Sequence, residues 1–184
     1  ITHQDYEWIK SLQNKIENLY QVNCDANVDE HLIEPNQIQY YLKQHPWLAY
    51  SDEAMLLEQE ENEIHIGLHL NTNLLKKYSQ TSLDKLNPTQ ASEVAPVLEG
   101  VSHFVYCCWK FQQGLSITQL EMEVQAEIDK YILFSLDKDL SYRKELALRL
   151  FHQAKLSPYL SVEQKNRYET AIHFAIRFCH TLDK

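Results

Sequence analysis

Three glycines in 184 residues, Gly67, Gly100 and Gly114, leave this chain few places to turn sharply. A β-sandwich or barrel needs turn residues at every strand end, and only five prolines supplement the glycines here. The scarcity points to helices joined by a few loops, and the hydrophobic spacing agrees. From Gln4 to Gln21, Trp8, Ile9, Leu12, Ile16, Leu19 and Tyr20 recur at helical intervals. A second helix is expected from Pro35 to Gln44, stopped by His45-Pro46. Asn87-Pro88 supplies an N-cap and a first-turn proline for a long helix reaching about Gln113, which Pro96 should kink or divide. Ser116-x-x-Gln119 and Thr118-x-x-Glu121 compete to cap the next helix, which runs to Phe134. Further helices are expected over Leu140–Lys155 and after Ser161.

One segment has the other period. In Glu63–Leu70, Ile64, Ile66, Leu68 and Leu70 alternate with His65, Gly67 and His69, as in a half-buried strand. With Ala54–Gln59 before it and Glu60-Glu61-Asn62 between, this predicts a hairpin over about residues 54–70. The expectation is therefore an α+β chain, predominantly α-helical, with one hairpin packed on the helices because a lone hairpin is marginal. A single domain over residues 1–184 is expected, with an N-terminal subregion 1–80 and a helical core 87–184.

Seventeen basic against 26 acidic side chains give a formal charge of −9, spread along the chain. Without a basic cluster, the chain is a poor match for a phosphate backbone, so no nucleic-acid partner is expected. No window has the length and apolarity of a membrane span, and no membrane partner is expected. Cys24, Cys107, Cys108 and Cys179 lack metal-knuckle spacing and read as buried thiols of a reducing, cytoplasmic setting. There is no nucleophile elbow, phosphate loop, zinc-protease helix or dinucleotide fingerprint, and no cofactor is expected.

What chemistry remains lies on two helices. On the helix ending at Phe134, Leu120, Val124, Ile128, Tyr131, Ile132 and Phe134 share a sector at about 100° per residue. Glu121 and Glu127 project into it, and a core-facing carboxylate must be paired, hydrogen-bonded or protonated. Arg143 projects inward from the following helix, so a structural ion pair among Glu121, Glu127 and Arg143 is expected. Glu99 and His103 lie one turn apart on the preceding helix, where the carboxylate would orient the imidazole or share a metal. Helical di-metal centres use Glu-x-x-His; here the spacings are Glu99-x-x-x-His103 and Glu123-x-x-x-Glu127. These make Glu99, His103, Glu123 and Glu127 weak metal candidates. His65 and His69 read as an exposed strand face, and His173 and His180 as the polar side of the last helix.

The stretches Leu98-Glu-Gly-Val-Ser-His-Phe-Val-Tyr106 and Gln119-Leu-Glu-Met-Glu-Val-Gln-Ala-Glu-Ile-Asp-Lys-Tyr131 resemble signature segments of an uncharacterised bacterial protein family. The resemblance implies a bacterial, intracellular origin and no particular activity. It groups Glu99, Ser102, His103, Glu121, Glu123 and Glu127.

Two functions compete. The leading expectation is a non-enzymatic protein-binding or assembly module, meeting another protein or itself through Trp8, Tyr40, Tyr41 and Trp47. The alternative is a metal-binding protein or hydrolase-like enzyme with a polar site built from Glu99, His103, Glu121 and Glu127.

Overall fold

A computed structural model of the chain describes residues 1–60, 63–154 and 158–182. Among them run seven α-helices and one antiparallel hairpin, so the fold is α+β with helix dominant. Helix α1 (His3–Tyr20) opens on a capping box: Thr2 accepts from the Asp5 amide, and Asp5 accepts from the Thr2 amide at 2.7 Å. Its apolar stripe buries Trp8, Ile9, Leu12 and Ile16. Trp8, expected at an interface, is thus a core residue, because it shares the face of Ile9 and Leu12. Helix α2 (Ile38–Gln44) begins later than Pro35, since the Gln37 amide donates to the Glu34 carbonyl in a turn first.

The hairpin strands β1 (Glu53–Glu60) and β2 (Glu63–Leu70) pair Glu53 with Leu70 and Leu57 with Ile66. Leu68 and Leu70 go into the core, and the Ile33 amide donates to the Leu68 carbonyl along an added parallel bridge at Leu32. Helix α3 (Thr72–Tyr78) leaves the hairpin under an Asn71 cap. Helix α4 (Pro88–Gln112) follows, capped by Asn87 and Gln90. The hairpin lies against it at Gly100, where an added Cβ would sit 2.8 Å from Glu53 Cγ and 2.9 Å from Leu70 Cδ2. Absence of a side chain there lets Glu53 approach the helix.

Pro96 does not divide α4. It lacks only the N–H that would reach Ser92, while buried Val94, Val97 and Leu98 hold the turns on either side. Helix α5 (Gln119–Ser135) adopts the second capping box, with Thr118 and Glu121 bonded to each other's amides. Helix α6 (Leu140–Ala147) runs into a π-helical turn, Leu148–His152. Lys155, the expected end of that helix, lies outside the described residues. Helix α7 (Val162–Leu182) buries Ala171, Ala175 and Cys179, small side chains that let it approach α5 closely. Helix α5 therefore packs between α4 and α7. All four cysteines are buried thiols. Among the described residues no helix is long and apolar enough to cross a membrane.

Candidate functional site

Central placement gives α5 two buried flanks, and its residues Glu123, Glu127 and Lys130 form a charged stripe at intervals of four and three. Glu99 and His103 face that stripe from α4, Glu53 reaches in from β1, and Arg167 comes from α7. No side chain in this set is more than 18% exposed. Lys130 Nζ donates to Glu99 Oε2 at 2.7 Å and to Glu127 Oε1 at 2.8 Å. His103 places Nδ1 3.4 Å from Glu53 Oε1 and Nε2 3.6 Å from Glu123 Oε2. Arg167 Nε lies 3.5 Å from Glu123 Oε1. Buried His103 Nε2 and Glu127 Oε2 have no hydrogen-bond partner in this arrangement.

Burial and charge compete at each position. Burial raises Glu53 and Glu127 above the usual carboxylate range, against the pull of His103 on one and Lys130 on the other. Burial also acts on Glu99, but Lys130 and His103 outweigh it and hold that carboxyl low. Lys130 and His103 are both raised: burial opposes their charge, and the surrounding carboxylates prevail. The phenol of Tyr168 is pushed upward by burial and by Glu99, Glu123 and Glu53, so it stays neutral.

A cavity of about 360 Å³ opens onto this group. Glu53, His103, Glu123, Arg167 and Tyr168 line it, with Trp47, Tyr50 and Tyr159 among its other walls. Tyr50 and Tyr159 stack with centroids 4.5 Å apart. A second cavity of about 270 Å³ reaches Glu99, Glu127 and Lys130, and the two share Glu53 and Tyr168. Single ligand atoms of Glu99, His103 and Glu123 lie within 4.8 Å of one another. Tetrahedral bonds of about 2.0–2.2 Å would bring the donors to about 3.5 Å from one another, so the three side chains would close in by about an ångström on an ion.

Glu99, His103, Glu123 and Glu127 are thus brought together, and Glu121 is not. As the third residue of α5 it turns back to the Thr118 amide, stands 48% exposed, and approaches Lys110 at 3.9 Å. Hydrogen bonds from the Thr118 backbone and hydroxyl lower its pKa. The expected grouping with Arg143 is replaced by Lys110 for Glu121 and Lys130 for Glu127, because cap geometry fixes the first and the helical stripe the second. Arg143 sits half-buried on α6. Glu53, Lys130, Arg167 and Tyr168 were absent from the sequence-derived set. A lysine in apolar surroundings, three residues beyond an inward glutamate, was the available signal for Lys130; Glu53 had none.

Other sequence candidates lie elsewhere. Tyr40 and Trp47 are exposed and Tyr41 half-buried, and Trp47 lines the larger cavity. His65 is exposed, whereas His69 is half-buried, with Nε2 3.2 Å from the Ser51 carbonyl. His173 and His180 face outward. Cys107 is buried against Met122, and burial pushes its thiol up to about 12, so it is no poised nucleophile. No protein-family model, curated protein or solved structure matches the chain.

Proposed function

We propose that this chain binds one divalent first-row metal ion through Glu99, His103 and Glu123 and uses it in hydrolytic chemistry on a small molecule held in the adjoining cavity. The observation that carries this is the setting of His103. One imidazole nitrogen meets Glu53; the other is buried, lacks a hydrogen bond and faces Glu123. A metal-bound histidine has this arrangement, with an outer carboxylate fixing the ring and freeing Nε2 for the ion. Charge supports it. Glu53, Glu99, Glu123 and Glu127 meet two permanent cations, Lys130 and Arg167. With a neutral imidazole, the uncompensated charge equals that of one divalent ion, which would replace the imidazolium proton.

Three protein ligands leave a position for water, and His103 and Glu123 both border the larger cavity. A metal there would lower the pKa of bound water and polarise a substrate carbonyl or phosphoryl group. Arg167 would stabilise developing negative charge, and the neutral Tyr168 phenol would donate a hydrogen bond to a substrate oxygen without giving up its proton. Trp47, the exposed aromatic that also suits a protein-contact surface, lines the same cavity and would hold substrate there.

Elemental analysis after incubation with Zn²⁺ or Mn²⁺ and gel filtration tests the reading. About one equivalent should be retained by the parent chain and lost from His103→Ala and Glu123→Ala variants with parental circular dichroism. A folded parent chain that retains no metal would sink it.

A further inference from the structure

The other flank of the α4–α5 contact carries a second buried polar group, built from Ser102 and Asp129, the chain neighbours of His103 and Lys130. Asp129 is 1% exposed. Its Oδ2 accepts from Ser102 Oγ at 2.5 Å, while Oδ1 accepts from Tyr20 OH at 2.5 Å and Gln125 Nε2 at 2.8 Å. All three donors are neutral. Among the described residues no lysine, arginine or histidine pairs with this carboxylate. An ionised carboxylate this buried ordinarily has a cation beside it.

Asp129 borders a cavity of about 230 Å³ whose other walls include Ile16, Val22, Val105, Tyr106 and Trp109. We propose that this cavity binds a small organic amine, with its ammonium group on Asp129 and its hydrocarbon part against Val22, Tyr106 and Trp109. The carboxylate supplies the missing charge complement. The aromatic rings offer faces that attract cations and cover apolar groups. Those same two rings already lie within reach of an ammonium: Lys110 Nζ is 5.3 Å from the Tyr106 centroid and 5.8 Å from that of Trp109. The volume admits about eight water-sized groups, which is the size of benzylamine. A bound ammonium would also offset the burial that holds the Asp129 carboxyl above its ordinary range.

Calorimetric titration of the full chain in chelator tests this site apart from any metal. Benzylamine should bind saturably, and benzyl alcohol, its neutral counterpart, about tenfold more weakly or worse. Asp129→Asn should erase the preference for the amine. Val22→Phe, which narrows the cavity without altering an Asp129 partner, should block benzylamine while circular dichroism stays parental. Failure of benzylamine to bind, equal affinity for the alcohol, or undiminished benzylamine binding in Val22→Phe would each overturn the proposal.

Discussion

Helices α4 and α5 build two buried polar groups from side chains adjacent in sequence, and the two solve burial differently. Towards the hairpin and α7, charge meets charge: Lys130 bridges Glu99 and Glu127, and His103 stands between Glu53 and Glu123. Towards α1, Asp129 is satisfied by hydroxyl and amide donors without a cation. Ion pairing makes each partner dependent on the other's charge, whereas neutral donors satisfy geometry and leave the charge uncompensated. The first flank should therefore be fragile to removal of a cation and receptive to a metal. The second should be milder to truncate and receptive to an ammonium.

Lys130→Met should have the largest effect on the charged flank. Methionine roughly fills the space but strands Glu99 and Glu127 without their shared cation. Removing one partner of a buried pair typically costs about 3–5 kcal/mol. Urea denaturation in chelator should show a loss of that order, larger than that for Asp129→Ala. Equal losses would mean that both flanks are held chiefly by packing and that the ion pairs add little.

The chain announced its helices more clearly than the inner faces of those helices. Caps at Asn87 and Thr118, the stripe Ile9–Leu12–Ile16 and the alternation before Leu70 are local signals, and each element formed where its signal lay. The phase of α5 was not local. Of its apolar sector Tyr131 and Phe134 are fully buried as expected, yet Val124, Ile128 and Ile132 are only half-buried while Glu123, Glu127, Asp129 and Lys130 are fully buried. Hydrophobic periodicity finds a core only where the core is apolar, and here the buried face sets Glu123, Glu127 and Lys130 among Ala126, Tyr131 and Phe134. Glu53 was illegible for another reason. It starts a strand like any exposed residue, and only the close approach at Gly100 brings it to His103.

The two flanks also differ in how they bind protons. Burial, the dominant cause, holds the folded Asp129 carboxyl above its unfolded value. The folded chain consequently keeps a proton that the unfolded chain has released. The stability this contributes is complete below about pH 4 and disappears as pH rises through the folded pKa. Glu99, held low, has the opposite sign: its contribution is present above the unfolded value and is lost as pH falls through the folded one. Stability of the parent chain minus that of Asp129→Asn should therefore decline as pH rises from about 4, in urea titrations run in chelator. A difference that grows with pH would mean that its neutral donors hold the carboxylate more firmly than burial opposes it.

The smallest effect separates scaffold from site. Thr118→Ala removes the hydroxyl that accepts from the Glu121 amide, and loss of such a cap costs typically about 1 kcal/mol. Both polar flanks draw on α5 residues beyond that first turn, from Glu123 onward. The urea midpoint should fall slightly, while metal stoichiometry and the preference for benzylamine over its alcohol stay parental. If capping loss instead releases metal, the first turn of α5 holds Glu123 in register, and Glu121 supports the centre through that cap although it faces solvent. If only the amine preference changes, the strain has travelled along α5 to Gln125 and Asp129 and bypassed Glu123. The two flanks would then differ in how firmly α5 holds them as well as in how they satisfy charge.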